Sequence, residues 1–214
     1  MPIYKGSTKI ADTGKYGLYI GGQRIGKVYK GNRLVYQYHP YSPSQVIVYQ
    51  TGRYATSFEL PFGVYNVAIC GGGGNGTFDG YISGAMWSSS GSSGAAWEGQ
   101  IYVSRRMNVN ILAGEGLVTS YLDLGGSRFI TAGAGGNGRA GGGVISVNNV
   151  SGVEVLSTSV SANGVAGYQA PGATSPRLSS STYGWGASTG YNTGIPAGHV
   201  QQGGIRLQFV RRYR

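Results

Sequence analysis

The chain has 214 residues, 41 of them glycine, and a formal net charge of +10, although charged residues make up only 11% of it. The glycines do not recur strictly at every third position, which excludes collagen, and 17 tyrosines with 3 tryptophans exclude the highly charged, weakly hydrophobic composition of disordered chains. A chain rich in Gly, Ser, Tyr and Val and poor in Lys and Glu is expected to form strands and turns instead of helices.

The first 36 residues repeat one short pattern three times. IYKGSTKI (3–10), LYIGGQRI (18–25) and VYKGNRLV (28–35) share the order apolar, Tyr, any residue, Gly, three residues of any kind, apolar. Glycine at the first central position suits a two-residue type II′ hairpin turn. The pattern therefore predicts a module of three β-hairpins over residues 1–36, with little core of its own. We expect this module to serve in attachment or oligomerisation through its basic side chains, which are Lys5, Lys9, Arg24, Lys27, Lys30 and Arg33.

The positive charge is concentrated at the two ends of the chain. Such a balance suits nucleic acid, an anionic cell envelope or an acidic protein. No nucleic-acid recognition motif accompanies the charge, so we favour ends that solubilise the chain or dock onto an acidic neighbour. The N-terminal MPIYKGSTKI has no apolar signal-peptide core, and no stretch reaches the roughly 18 apolar residues of a membrane span. We expect neither a Sec route nor membrane insertion.

A polar, proline-containing stretch over residues 37–46 reads as a linker, in which His39 is expected to be solvated. From residue 47 to 214 strand-like runs alternate with glycine-rich connections, and no apolar residues recur at helical spacing. The pattern predicts an all-β protein whose main domain is an antiparallel β-sandwich. Its long loops would be residues 71–96, 133–143 and 162–204.

Two glycine blocks, GGGGNG (71–76) and GAGGNG (133–138), have the spacing of a dinucleotide-binding turn. That turn needs a helix whose N-terminal amides hold the pyrophosphate. Further glycines follow the first block and the strand-like VISV follows the second, so neither can open a helix. We expect instead that the glycine runs either stack as extended polyproline-II-like rods or form tight turns with positive φ.

The residues that could support catalysis are few and scattered. GASTG (186–190) matches a nucleophile elbow around Ser188, and His199 follows it, but no acid comes after Glu154. With two histidines, seven acids and one cysteine, Cys70, a catalytic group or metal cluster is hard to assemble. Cys70 ends an apolar run and is expected to be a small buried side chain. We expect no enzyme activity, no catalytic residue, no cofactor and no metal.

Aromatic residues within the predicted glycine-rich loops are the candidate ligand-binding side chains. Rings with an apolar face and a polar tip, set among Ser, Asn and Gly, are typical of adaptable binding loops. The candidates are Tyr81, Trp87, Tyr168, Tyr183, Trp185 and Tyr191. For Trp97, beside the strand-like WEGQIYV, packing in the interior is the favoured interpretation.

Residues 47–210 resemble a known kind of domain. The order FELPFGVYNVAICGGGGNG, GAAWEGQIYVSRRMNVNILAGEG, GGSRFITAGAGGNGRAGGG and a closing GGIRLQFV resembles the glycine-rich domain of bacteriophage tail-fibre and virion surface proteins. The Tyr-x-Gly repeats resemble short N-terminal modules of phage and prophage proteins. The usual Pro-Gly middle turn is here SRRMN (104–108), which marks Arg105 and Arg106 as a contact for an acidic neighbour.

The resemblance implies a virion protein, often a homotrimer, whose distal glycine loops touch the host surface. We expect a bacteriophage receptor-binding or tail-fibre tip protein, located in the virion, that binds a host cell-surface glycan or envelope protein and other virion proteins but no nucleic acid. The alternative is a capsid or head-fibre decoration or connector protein with a purely structural role.

Overall fold

A computed structural model describes residues 2–5, 8–12, 18–20, 23–74, 77–82, 85–89, 91–137, 140–164 and 202–212. The chain divides into two units, Met1–Pro43 and Ser44–Arg214. Every regular element among the described residues is a β-strand, so no helix there could cross a membrane. The two units are described in turn.

The first unit contains three antiparallel hairpins of two strands each. In each, the paired residues nearest the turn enclose two residues, as Lys30 and Arg33 enclose Gly31 and Asn32. Gly31 has a φ of 60° whereas Asn32 has no positive φ, which is the type II′ arrangement predicted from the repeat. The strands are β1 (Pro2–Lys5) with β2 (Thr8–Asp12), β3 (Leu18–Ile20) with β4 (Gln23–Ile25), and β5 (Lys27–Lys30) with β6 (Arg33–Gln37).

His39, which was expected to be solvated, is buried with 4% of its surface exposed. Its ring lies edge-on to Tyr41 at 5.7 Å between centroids, and its Nδ1 accepts a hydrogen bond of 3.2 Å from the Tyr41 backbone N–H. The prediction was wrong because a lone histidine in a polar, proline-containing segment can still pack against a near neighbour, as His39 does against Tyr41.

The second unit is a sandwich of two five-stranded antiparallel sheets, which confirms the predicted fold class. The first sheet has the order β17 (Val153–Ala162), β12 (Ala96–Val103), β9 (Gly63–Cys70), β18 (Gly204–Arg211) and β7 (Val46–Thr51). The second has the order β16 (Ile145–Val147), β15 (Ser127–Ala132), β14 (Ser120–Leu124), β13 (Met107–Ala113) and β8 (Tyr54–Leu60). A separate hairpin joins β10 (Thr77–Ile82) to β11 (Ala85–Ser89).

The interior of the sandwich is formed by the inward residues of both sheets. β9 packs against β14 and β18 against β13, so strands with the same place in the two orders face each other. Trp97 on β12 is buried and packs edge-on against Phe129 on β15 at 6.4 Å between ring centroids, as the packing interpretation of Trp97 predicted. β15 bulges at Phe129, so Phe129 and its neighbour Ile130 are both buried on one face.

One continuous strand-like run, SFELPFGVYNVAIC, is divided between the two sheets at Pro61. The run before it belongs to the edge strand β8 and the run after it forms the central strand β9. Proline has no N–H for a ladder and is disfavoured inside a sheet. The Tyr65 hydroxyl donates a hydrogen bond of 2.7 Å to the Pro61 carbonyl and closes this corner.

Candidate functional site

Five short glycine-rich segments lie side by side at one end of the sandwich. We call them the glycine stack: residues 71–74, 91–95, 133–136, 141–144 and 163–164. The N–H of Gly71 donates to the carbonyl of Ala95, and the N–H of Gly74 donates to that of Ser92, both at 2.9 Å. Bonded residues are three apart on each segment, which is the period of an extended polyproline-II chain and not of a β-strand.

The central segment of the stack, residues 91–95, is hydrogen-bonded to three other segments. Residues 91–95 accept from residues 71–74, and they donate to residues 133–136 through Ser92 to Gly136 and Ala95 to Gly133, both at 2.9 Å. A third neighbour, residues 141–144, donates from Gly143 to the Ser93 carbonyl at 2.9 Å. The central segment therefore has three bonded neighbours, so the stack is a bundle and not a sheet.

Close backbone contact explains why glycine is required in the stack. A Cβ added at Gly71 or Gly74 would approach the carbonyls of Gly133 and Gly136 respectively to less than 3.0 Å, which real Cβ atoms essentially never do. Of the two predicted uses of glycine, the structure shows extended rods, because no described stack glycine has a positive φ.

Neither glycine block opens a helix in the described part of the chain. After Gly74 the next described residues form β10, and residues 133–136 lead into a turn that returns through residues 141–144. The amides of Gly71, Gly74, Gly133, Gly135 and Gly136 donate to carbonyls within the stack. These amides are therefore not available as a phosphate cradle.

The direction of the segments places two insertions at the same end of the stack. Residues 71–74 and 133–136 run parallel away from the sandwich, while residues 91–95 and 141–144 return toward it. Both insertions, the one between residues 74 and 91 and the one between residues 136 and 141, are thus attached at the far end, which we call the distal end. β17 ends with Ala162 opposite Ala96, so residues 163–164 begin at the base of the stack as well.

The stretch 71–96 was predicted to be a loop throughout, but it contains the β10–β11 hairpin. Tyr81 lies on β10 opposite Met86, and Trp87 lies on β11 opposite Gly80, so two predicted ligand-binding residues occupy adjoining register positions on this hairpin. The register against β11 shifts between Phe78 and Gly80, next to the glycine that obscured the strand in the sequence. The other four predicted residues lie outside the described residues: Tyr168, Tyr183, Trp185 and Tyr191. Ser188 and His199 lie there too.

The predicted attachment residues all lie on strands of the hairpin module. Lys27 and Lys30 are exposed on β5, and Lys30 is paired with Arg33 beside the turn. Lys5 lies on β1, Lys9 on β2 and Arg24 on β4. At the SRRMN corner of the second unit, Arg106 forms an exposed ion pair with Glu59 at 3.2 Å, which contributes little to stability. The contact of Arg105 and Arg106 with an acidic neighbour stays a prediction.

Ser92 and Ser93 are structural residues that the sequence did not single out. Both are fully buried inside the stack, and the Ser92 hydroxyl donates a hydrogen bond to the Ala140 carbonyl. This bond connects residues 91–95 to the turn of the next glycine hairpin. The available signal was the run GSSGAA, in which every residue is small enough for close packing of backbones.

Cys70 lies at the junction of β9 and the glycine stack, beside Ala68 and Ala96. It is buried, as predicted, and burial raises the pKa of its thiol to about 12, against a weaker opposing effect of the Gly204 backbone hydrogen bond. The thiol is therefore protonated and unreactive in the folded protein at neutral pH.

The raised pKa of Cys70 predicts a loss of stability at alkaline pH. Between the ordinary value of 9.0 and about 12 the folded chain holds a proton that the unfolded chain has released, so stability is retained below pH 9 and falls as pH rises through this window. The slope approaches about 1.4 kcal/mol per pH unit. From denaturant titrations at pH 8 and 10.5, we expect the wild type to lose about 1 to 2 kcal/mol more than Cys70→Ala; equal losses would contradict the assignment.

In the part of the chain that the structure describes, no three His, Cys, Asp or Glu residues are grouped so as to hold a metal ion. Neither the known protein families nor the curated proteins include a match to this chain.

Proposed function

We propose that the chain is a non-enzymatic bacteriophage virion protein, a tail-fibre or receptor-binding tip, whose distal insertions bind a polymer of the host cell surface. The observation that carries the proposal is the glycine stack, which holds two insertions at one end of a β-sandwich through main-chain hydrogen bonds. A display platform that is built from backbone leaves the side chains of its insertions available for recognition.

The positions at which the chain enters and leaves the second unit support separate regions for attachment and recognition. β7 begins with Val46 opposite Gln208, and β18 ends at Arg211, so the chain enters and leaves the sandwich at the end remote from the stack. The entry point leads back to the basic hairpin module through residues 38–45. Attachment through the module and recognition through the distal end therefore involve different parts of the chain.

The composition of the insertions suits a hydroxyl-rich ligand. Tyr81 and Trp87 lie among Gly, Ser and Asn, and aromatic rings stack on the apolar faces of sugars while small polar residues supply hydrogen bonds. Residues 75–90 contain one charged residue, Asp79, so recognition there would depend on rings and hydrogen bonds more than on ion pairs.

Replacement of Trp87 or Tyr81 by alanine is expected to weaken binding of the purified chain to host bacteria, or to their extracted envelope glycans, at least tenfold, because aromatic anchors dominate interfaces. Tyr49→Ala is the matched control, since Tyr49 is an exposed aromatic on β7 in the sandwich. Binding would be measured by pull-down and by biolayer interferometry. Equal binding to unrelated bacteria, or equal loss in the control, would contradict the proposal.

The location of the distal end in an assembled particle separates this function from that of a decoration or connector protein. Cryo-electron microscopy of the particle should show the β10–β11 hairpin facing solvent. A hairpin buried against other virion subunits would favour the structural role instead, with the basic ends neutralising acidic capsid or tail surfaces.

A further inference from the structure

The outer face of the second sheet carries a polar groove with a volume of about 490 Å³. Its floor is formed by four side chains, Ser57 and Glu59 of β8 with Asn108 and Asn110 of β13, and we call it the asparagine groove. Ser57 is opposite Asn110 and Glu59 is opposite Asn108. All four residues are exposed, whereas Val109 between the asparagines is buried in the core. A concave site of this size is large enough to hold a small ligand.

One wall of the asparagine groove is bare backbone. The turn between β14 and β15 contains Gly125 and Gly126, with φ of 60° and 82°, and the Gly125 N–H donates a hydrogen bond of 2.8 Å to the Asn108 carbonyl. This bond holds the turn beside the two asparagines. A Cβ added at Gly126 would meet no atom within 4 Å, so the space beside this wall is unfilled. Glycine at such a place lets a ligand approach the backbone closely.

The two asparagine side chains keep hydrogen-bonding capacity for a ligand. Asn110 Oδ1 accepts a bond of 2.7 Å from the Ser57 hydroxyl, which leaves the NH₂ group of Asn110 as a donor. Within the described part of the chain, the side chain of Asn108 makes no hydrogen bond. Residues two apart on one strand face share that face at a spacing of about 7 Å. The two amides can therefore contact different hydroxyl groups of one ligand.

The charges around the asparagine groove are balanced. Glu59 forms its ion pair with Arg106, and Asp123, which is opposite Asn110, forms one with Arg128. An anion placed here would meet two carboxylates, and a metal ion would meet two guanidinium groups. A neutral ligand with many hydroxyl groups meets neither obstacle, because each hydroxyl both donates and accepts hydrogen bonds.

We propose that the asparagine groove binds a short, neutral saccharide through the side chains of Asn108 and Asn110. Each amide offers a carbonyl acceptor and an NH₂ donor, which together match a pair of neighbouring sugar hydroxyls. The guanidinium of Arg128 lies 3.6 Å above the centroid of the nearby Tyr121 ring, so that ring face is occupied and binding depends on hydrogen bonds. The inference does not depend on the proposed host-binding role, because it concerns no residue of the distal insertions.

The test is a nuclear magnetic resonance titration of the ¹⁵N-labelled full chain with maltotriose, cellotriose and tri-N-acetylchitotriose. The side-chain NH₂ signals of Asn108 and Asn110 report on the groove directly and are assigned by their loss in the Asn→Ala variants. We expect saturable shifts of these signals with at least one trisaccharide. Asn108→Ala and Asn110→Ala should each raise the dissociation constant about fivefold or more, the effect of losing a hydrogen bond to the ligand.

Thr158→Ala is the control, since Thr158 is an exposed polar residue on β17 of the other sheet, and its dissociation constant should equal that of the wild type. The backbone amide spectrum of each variant verifies that it is folded. The proposal would be overturned by the absence of saturable shifts with all three trisaccharides, by unchanged affinity in both asparagine variants, or by an equal loss in Thr158→Ala. Saturation of the same signals by CaCl₂ and not by the sugars would assign the groove to a cation and overturn it as well.

Discussion

Gly74→Ala is expected to destabilise the protein by about 3 kcal/mol or more, the upper range for overpacking a rigid interior. The new methyl group would meet backbone atoms, the carbonyl of Gly136 and the N–H of Asn137, and not the movable end of a side chain. Relief requires residues 71–74 to move away from residues 133–136, which breaks the hydrogen bond from Gly135 to Gly72. The free energy of unfolding from denaturant titration measures this effect.

Gly141→Ala is the matched control within the same stack. A Cβ at Gly141 has no atom within 4 Å, and its φ is not positive. Alanine there restricts the unfolded chain without strain in the folded one, so we expect a gain of about 0.4 to 1 kcal/mol. Gly135→Ala, which would place a methyl group against the Ser92 carbonyl, should repeat the loss seen for Gly74→Ala. Similar values for Gly74→Ala and Gly141→Ala would show that the stack is not close-packed in solution.

Trp97→Ala is expected to cost about 3 to 5 kcal/mol, the range for removal of a buried large aromatic side chain. The indole packs on Phe129 of the opposing sheet and lies over Gly99 of its own strand, where an added Cβ would stand 2.6 Å from the ring. Gly99, which lies under the ring, has no side chain with which to fill part of the void. Thermal and denaturant unfolding should both record the loss.

Tyr102→Ala on the same strand is the control for Trp97→Ala. Tyr102 has the opposite parity to Trp97 on β12, lies on the outer face of the sheet and is only partly buried. We expect its replacement to cost about 1 kcal/mol or less, as for a surface position. A loss at Tyr102 equal to that at Trp97 would show that the cost comes from strand propensity and not from the interface between the two sheets.

Local patterns were enough to predict the hairpin module and the class of the main domain. The repeat around Gly31 fixes a turn through the conformation of one glycine, and alternation along the strands reports their half-buried faces. Both signals act over a few residues. The hairpin β10–β11 was missed because Gly80 interrupts its first strand, and the register shift beside Gly80 has no clear sequence signature.

Features that depend on strand order could not be predicted. Nothing local in VISV or VEVLSTSV shows that these strands lie at the edge of each sheet, because that depends on pairing with residues far along the chain. The partial exposure of Val147 and Val155 follows from this order and was therefore not predicted. The choice between glycine rods and glycine turns was equally undecidable, since it depends on which segments meet, as residues 71–74 and 133–136 do.

The glycine stack also makes the fold of the sandwich independent of the sequence of the first insertion. Gly74 and Ser92 lie on either side of the first insertion and are joined by a main-chain hydrogen bond. This bond does not depend on which amino acids lie between the two residues. A segment of different length or sequence can be spliced between residues 74 and 91 without rewriting the sandwich. Under the proposed function, exchange of this one segment would change the ligand and retain the fold.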